Sequence, residues 1–340
     1  MKTVAKRALR DAAATLASLS GLSRADRRHL GHLVIVTFHR VLPAELLARY
    51  PYRGLAVTPE ELGFILETLG RDYTIATLRD AHRRHAEGER PPKPLLAITF
   101  DDGQLDNYEH ARPVLAAHGA RATFFVPVEA LERAEPLWHD RLGFAALVAA
   151  DRSRGAALRR ALGVVGVPFE AGEAPAMLAE RAKRMAPPDR RALVELLESE
   201  AAVSVPSWAG MMRWDDVRAL AREGHEIGSH SMSHTLLPQC DDEVVRFEIA
   251  ESRARIEAEL EAPIDSFCYP NGDYDERAVR ALERAGYARA VTTRWGTNEA
   301  AAPRFTLHRC DMDALRLRDG RGTLSAALLR LRLSGLHPGL

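Results

Sequence analysis

The chain has 340 residues, of which 46% are hydrophobic and 28% are charged, a composition that is ordinary for a soluble globular protein. Lysine plus arginine and aspartate plus glutamate number 47 each, so the net charge gives no reason to expect nucleic acid as a partner. Three cysteines are too few for a disulfide framework, and no run of about 18 apolar residues predicts a membrane-spanning helix. We therefore expect a cytoplasmic protein in a reducing compartment.

The first predicted element covers residues 1–30, which begin with positive charge and continue into a weakly hydrophobic Ala/Leu/Ser stretch. Arg10 and Asp11 interrupt the apolar core that a cleaved signal peptide needs, so we interpret the segment as an amphipathic helix. Such a helix could pack on the rest of the protein. Alternatively, it could rest on the anionic inner face of the membrane as a peripheral contact.

Short apolar runs alternate with helical patterns over residues 31–310. The predicted strands cover residues 33–38, 95–100, 122–127, 225–230, 266–270 and 288–293. The predicted helices run from a capping box at Thr58 to Gly70, over about 108–118 and 214–222, from Asp241 or Asp242 to Leu260, and over 275–285. This alternation predicts a parallel sheet with helices outside it, and the number of units favours a closed or nearly closed barrel. Functional residues should then lie just past the carboxyl ends of the strands.

Two segments depart from the alternation. Residues 131–210 are rich in Ala, Arg, Glu and Leu and contain no convincing strand, so we expect a helical insertion that covers one side of the barrel. Residues 311–340 form a tail rich in Leu and Arg, for which the sequence indicates no role.

Two predicted strand ends carry residues that suit one metal centre. The motif TFDDG places Asp101 and Asp102 after a strand, and HSMSH places His230 and His234 four residues apart after another. Adjacent residues at a strand end point in different directions, so one carboxylate can bind a metal while its neighbour stays free as a base. Two histidines and one carboxylate leave open positions for water and substrate, as in a catalytic site. Each motif alone is more often a turn or a solvated pair, but their joint occurrence favours a metal centre.

These motifs, with the flanking WDDVRALAREGHEIGSHSMSH, resemble those of the polysaccharide deacetylases, the NodB-homology domain of carbohydrate esterase family four. The resemblance covers about residues 31–130 and 211–310. It implies an α/β fold, a distorted (β/α) barrel of about seven units, and a divalent metal, most often Zn²⁺. It also implies an enzyme that removes the N-acetyl group from a sugar. The roles it implies are the catalytic base for Asp101 and the metal ligands for Asp102, His230 and His234.

The departing amine must receive a proton, since an amide nitrogen leaves poorly otherwise. Many family members use a histidine of a late Leu-x-His motif, which corresponds to His308 in TLHR. A branch that resembles the poly-N-acetylglucosamine deacetylases uses a histidine after the first strand, which corresponds to His39 in TFHRVLP. We favour His39, because a strand end suits an active-site residue. A purely structural histidine is the alternative for both.

The third family motif is altered in this chain. It commonly reads Phe-Arg-Pro-Pro-aromatic-Gly and here reads FCYPNG, so Cys268 replaces the arginine that orients the base. Arg309 could supply the missing charge, but we expect it to be a surface residue. Tyr269 and Pro270 are expected to line the cleft and to place a backbone N–H near the oxyanion. Trp138, in the Trp-His-Asp patch of the insertion, could stack on a sugar ring or pack in the core.

The sequence therefore predicts a metal-dependent hydrolase of an N-acetylated glycan, which could be a polysaccharide, an oligosaccharide or a lipid-linked sugar. A basic amphipathic N-terminus without a signal peptide favours a nucleotide- or lipid-linked precursor at the cytoplasmic face of the membrane. The altered third motif leaves two alternatives. One is a catalytically silent glycan-binding module on the same barrel, and the other is a hydrolase of a non-sugar amide.

Overall fold

Parallel strands close into a barrel in the computed structural model, which describes residues 2–151 and 155–336. The strands are β1 (Leu33–Phe38), β2 (Arg40–Val41), β3 (Ala56–Val57), β4 (Thr74–Ala76), β5 (Leu95–Phe100), β6 (Thr123–Val126), β7 (Glu226–Ser229), β8 (Ser266–Cys268), β9 (Arg289–Trp295) and β10 (Leu307–Asp311). The helices are α1 (Lys2–Leu19), α2 (Ala25–Arg28), α3 (Ala44–Leu47), α4 (Pro59–Asp72), α5 (Leu78–Ala86), α6 (Arg112–Ala117), α7 (Val128–Arg133), α8 (Trp138–Ala150), α9 (Ala156–Val164), α10 (Pro175–Ala182), α11 (Pro187–Ala201), α12 (Trp214–Arg222), α13 (Asp242–Leu260), α14 (Glu276–Ala285) and α15 (Ala326–Leu333).

The barrel wall has the strand order β1-β5-β6-β7-β8-β9-β10, and β10 pairs again with β1. The prediction of a distorted (β/α) barrel of about seven units is confirmed. β1 and β5 lie in register from Leu33 opposite Leu95 to Phe38 opposite Phe100. The two strands therefore end at the same level, and the residues that follow them emerge at one edge of the barrel. β4 pairs with the first half of β5, at the opposite edge.

The six predicted strands are present, with ends that shift by at most two residues. The sequence does not predict the barrel strand β10, because its Leu-His-Arg-Cys-Asp sequence has no apolar run. The capping box at Thr58 is confirmed: its hydroxyl accepts the Glu61 N–H, and the Glu61 carboxylate accepts the Thr58 N–H. The helix that begins there continues through Gly70 to Asp72, so the predicted end at Gly70 is wrong by two residues.

Alternate side chains of the strands fill the barrel in layers. One apolar cluster inside the barrel includes Leu33, Ile35, Leu95, Ala97, Phe125, Val291 and Leu307. At the amino end of the strands, the Glu226 carboxylate accepts hydrogen bonds from Ser266 (2.6 Å) and Thr123 (2.8 Å). This polar layer closes the bottom of the barrel and serves stability, since barrel chemistry takes place at the carboxyl end.

The insertion has an apolar core of its own, to which α8, α9, α10 and α11 contribute. A buried ionic group joins it to the barrel. The Arg40 guanidinium donates to Asp106 (2.6 Å) near the end of β5 and to Asp140 (2.5 Å) on α8. The Tyr50 hydroxyl also donates to Asp140 (2.9 Å). Because all of these side chains are buried, the first turn of α8 is firmly fixed beside the mouth of the barrel.

The N-terminal helix and the C-terminal tail pack on each other. Ala14 and Ala17 of α1 contact Leu328 and Leu331 of α15. The predicted amphipathic helix thus has a small-residue face against the protein, and the tail provides its packing partner. No helix among the described residues combines the length and the apolar character that crossing a bilayer requires.

Candidate active site

Asp101 and Asp102 follow β5 in a turn with an unusual backbone. Asp102 has a φ of +75°, and Gly103 follows with a φ of +65°. A positive φ is costly for a residue other than glycine and is held in place only where surrounding contacts fix it. In this conformation the two carboxylates contact different groups, as the sequence predicts for neighbours at a strand end.

The Asp101 carboxylate is buried and forms a bidentate ion pair with Arg309. The distances are 2.8 Å from Nη1 to Oδ1 and 2.7 Å from Nη2 to Oδ2. The expectation that Arg309 is a surface residue is wrong, since its side chain is 1% exposed and points into the barrel from β10. Burial raises the pKa of Asp101, but the Arg309 guanidinium outweighs that effect and brings the pKa below its ordinary value. Asp101 is therefore ionised at neutral pH.

Cys268 lies beside this ion pair rather than in it. Its Sγ is 3.3 Å from Arg309 Nη2 and 3.5 Å from Asp101 Oδ2. Burial raises the pKa of the Cys268 thiol, which is consistent with the predicted small buried residue. The small side chain leaves the interior of the barrel free for the guanidinium that arrives from β10. The arginine that the third motif lacks is thus supplied from another strand.

Asp102, His230 and His234 form a buried group whose ligand atoms all lie within 4.8 Å of one another. Asp102 Oδ1 is 3.3 Å from His230 Nε2 and 3.2 Å from His234 Nε2. A tetrahedral ion with ligands at about 2.0–2.2 Å separates its ligand atoms by roughly 3.3–3.6 Å, so these distances fit such an ion closely.

Burial and the contacts with Asp102 set the protonation of this group in the absence of a metal. His230 Nδ1 lies 2.7 Å from the Cys268 carbonyl, to which it donates, so Nε2 is the atom directed at Asp102. Burial lowers the pKa of His230, but its contacts with Cys268 and Asp102 raise that pKa well above its ordinary value, so a cation that binds there displaces the Nε2 proton. Burial lowers the pKa of His234 to about 4, which favours the neutral imidazole that a ligand requires. Burial raises the pKa of Asp102, but hydrogen bonds from the two histidines bring it well below its ordinary value. His234 Nδ1 is buried and has no hydrogen-bond partner among the described residues.

A second group with suitable spacing consists of Asp101, His230 and Cys268. The guanidinium of Arg309 already contacts both the carboxylate and the thiol of this group. A fixed positive charge at that point opposes a second cation, so the Asp102 group is the better candidate for a metal.

The loop that carries the two histidines is tied to α13 by a carboxylate that the sequence does not single out. Glu248 accepts the backbone N–H groups of Met232 and Ser233, each at 2.9 Å, and also the Ser233 hydroxyl. His234 has a φ of +56°, so the loop is held in a conformation that L-residues rarely adopt.

The two candidates for the general acid lie in different places. His39 follows β1, and its Nε2 is 3.9 Å from Asp101 Oδ2, with a side chain that is 23% exposed. His308 lies on β10 between Leu307 and Arg309, whose side chains point into the barrel. By strand alternation its ring is on the outer face, where it lies against Gly296. The structure brings His39, and not His308, to Asp101.

Tyr269 and Pro270 are placed differently from the prediction, and Trp138 agrees with one of its two interpretations. Tyr269 is fully buried, its N–H donates to the Val291 carbonyl (3.3 Å), and its hydroxyl donates to the Phe305 carbonyl (3.0 Å). It therefore has no free N–H for an oxyanion, and Pro270, also buried, has none by its chemistry. Trp138 packs with the insertion, and its ring lies under the Arg190 guanidinium at 4.8 Å. Of the two interpretations given for Trp138, the structure favours packing.

His139 is the neighbour of the metal group that sequence reasoning missed. Its Nε2 is 3.6 Å from Asp102 Oδ2, and its ring centroid is 5.5 Å from that of His234. The only signal for His139 in the sequence is its position between Trp138 and Asp140. That position does not indicate where the His139 side chain points.

Comparisons with known proteins point to one family. A family model described as polysaccharide deacetylase matches residues 88–154 and 177–290. A Bacillus subtilis (strain 168) protein, provisionally named polysaccharide deacetylase YxkH, is 22% identical over 237 residues, or 70% of this chain. The chain spans 58% of the length of that relative.

Solved structures show the same fold. The Streptococcus pyogenes deacetylase PplD, in complex with acetate, is similar with a TM-score of 0.58 and 18% identity over 86% of this chain and 96% of that one. IcaB from Ammonifex degensii is similar with a TM-score of 0.53 and 19% identity over 83% of this chain and 91% of that one. Because the family model covers more than half of the sequence, including both carboxylates and both histidines of the motifs, this chain belongs to the polysaccharide deacetylase family.

Proposed function

We propose that the protein is a metal-dependent hydrolase that removes the N-acetyl group from an N-acetylated glycan. One observation carries the proposal: a buried Asp-His-His group with the spacing of a metal site lies beside a second, separately braced carboxylate. One carboxylate and two imidazoles are donors that Zn²⁺ uses, whereas Mg²⁺ and Ca²⁺ prefer oxygen ligands, so we propose Zn²⁺. When bound there, the ion polarises the acetamide carbonyl and lowers the pKa of water.

The protein's own residues supply the proton transfers. Asp101 is ionised, and each of its oxygens keeps a lone pair after the contact with Arg309, so it can accept the proton of the attacking water. The distance of 3.9 Å between His39 Nε2 and Asp101 Oδ2, with a side chain that is 23% exposed, supports His39 as the donor of a proton to the departing amine.

A catalytically silent glycan-binding module is the second candidate, and the loss of the third-motif arginine favours it. Arg309 weakens that argument, because it makes the bidentate contact that the missing arginine would make. A candidate base, the arginine that pairs with it and a set of candidate metal ligands are all present, so we favour an active enzyme.

We also propose that the glycan is lipid-linked and that the protein meets it at the cytoplasmic face of the membrane. Leu9, Leu16 and Leu19 of α1 are 73%, 67% and 82% exposed, and Lys6 and Arg7 are exposed beside them. Exposed leucines next to basic residues suit an anionic membrane surface.

Acetate release tests both parts. The protein, stripped with a chelator and then reloaded with Zn²⁺, is assayed on N-acetylated glycans that are free, nucleotide-linked or lipid-linked, and on non-sugar amides. We expect release only from the reloaded protein and the highest rate on the lipid-linked glycan. No release from any glycan would overturn the enzymatic proposal, and release only from free polymer would overturn the membrane proposal.

A further inference from the structure

A histidine of the helical insertion lies close to the candidate metal ligands. His139 is the second residue of α8, and its side chain is 14% exposed. Its Nε2 lies 3.6 Å from Asp102 Oδ2. The other oxygen of the same carboxylate, Oδ1, is the one that faces His230 and His234. The two oxygens of Asp102 therefore have separate partners.

The backbone around His139 is held by contacts of its own carbonyl and of both neighbouring residues. The Tyr52 hydroxyl donates to the His139 carbonyl at 2.7 Å. On one side Trp138 lies under the Arg190 guanidinium, and on the other Asp140 accepts hydrogen bonds from the buried side chains of Arg40 and Tyr50. These contacts hold the first turn of α8 so that the intervening imidazole projects at Asp102. An imidazole held in this way loses little rotamer entropy when it forms a hydrogen bond.

The distances indicate that His139 positions a metal ligand and is not itself a ligand. His139 is not part of the group whose ligand atoms lie within 4.8 Å of one another, so it is not a fourth vertex around the same point. At 3.6 Å its Nε2 is a few tenths of an ångström beyond hydrogen-bond distance from Oδ2. A carboxylate that binds a cation through one oxygen is commonly oriented by a donor on its other oxygen.

We propose that His139 is a positioning residue that donates its Nε2–H to Oδ2 of Asp102 and so holds Oδ1 toward the metal. The proposal rests on the metal binding proposed above. It gives the insertion a part in the metal centre, since the other members of that centre come from the barrel. Its consequence is measurable without turnover, as a change in zinc affinity.

The test uses two substitutions of similar size. His139→Gln keeps an N–H donor at nearly the same reach, whereas His139→Leu removes it. Zinc affinity is measured by competition with a chromophoric chelator, with His118→Ala, an exposed histidine at the end of α6, as the control. We expect His139→Leu to weaken zinc binding about 10–100-fold, and His139→Gln and the control to stay near the parent. The melting temperature of the metal-free protein should be similar in all four.

Each other outcome overturns the inference in a recognisable way. Parent-like affinity in His139→Leu would show that Asp102 needs no such donor. Equal losses in the Leu and Gln variants would show that His139 is itself a ligand or acts through packing. A parent protein that binds no zinc would overturn the proposed function and the inference with it, whereas zinc binding that is insensitive to His139 would overturn the inference alone.

Discussion

Nearly every N–H group of the Arg309 guanidinium donates to an acceptor inside the barrel. Besides the two contacts with Asp101, its Nε donates to the Thr292 carbonyl (2.8 Å) and its Nη1 to the Thr37 hydroxyl (3.0 Å). A fully buried guanidinium is stable only when it is paired and hydrogen-bonded in this way. The same contacts fix the orientation of Asp101 and keep it charged, so one residue serves both the fold and the proposed base.

The pair can be tested by a double-mutant cycle on stability. Arg309→Met leaves the Asp101 carboxylate buried without a counter-charge, so we expect the free energy of unfolding of the metal-free protein to fall by about 3–5 kcal/mol. The same substitution in an Asp101→Asn background should cost much less, because no charge is left unpaired. Denaturant unfolding followed by circular dichroism measures both values.

The matched control is Arg71→Met, which removes an exposed ion pair with Glu67 on α4. Its cost should stay below about 1 kcal/mol. If Arg309→Met cost no more than this, or the same in both backgrounds, Arg309 would not be the brace of Asp101.

At the scale of strands, the two candidate acids lie in different places. His39 follows the carboxyl end of β1, whereas His308 lies on the outer face of β10. We expect His39→Ala to lower kcat roughly 10²–10⁴-fold with little change in zinc content. His308→Ala should leave kcat close to the parent, because its ring packs outside the barrel. Steady-state acetate release from both variants decides between them, and a large loss for His308→Ala with none for His39→Ala would reverse the assignment.

The same strands show what the sequence could and could not predict. Asp101 and Asp102 are adjacent and His230 and His234 are four apart, so local motifs reveal them and a strand end predicts their meeting. Asp101 and Arg309 are 208 positions apart in the sequence. Arg309 lies on β10, which the sequence does not predict as a strand because it contains several polar residues. His139 is missed for a similar reason, since the helical pattern of the insertion does not indicate which end faces the barrel. Tyr269 is misplaced because its N–H belongs to the strand ladder.

At the scale of the whole molecule, α1 and α15 form a layer on the outside of the barrel. The small residues of α1 face α15, and the leucines of α1 face solvent next to basic side chains. One face of α1 therefore packs on the protein, and the opposite face remains available to a membrane surface. The two interpretations given for the N-terminal segment are therefore compatible.

Vesicle co-sedimentation tests the membrane interpretation. We expect the parent to bind vesicles that contain anionic lipid, and the combined change of Leu9, Leu16 and Leu19 to serine to abolish binding, because it removes the apolar side chains that insert. Leu315→Ser, which changes an exposed leucine elsewhere, is the control. Equal binding by all three proteins, or none by the parent, would contradict a membrane role for α1.

The division of labour between the paired carboxylates is tested most directly by measuring zinc content and acetate release on the same preparations. We predict that Asp101→Asn keeps about one zinc ion per chain and releases no acetate, whereas His230→Ala loses both. Loss of zinc from Asp101→Asn, or acetate release at the parent rate by that variant, would contradict the assignment of Asp101 as the base beside an Asp102-His230-His234 metal centre.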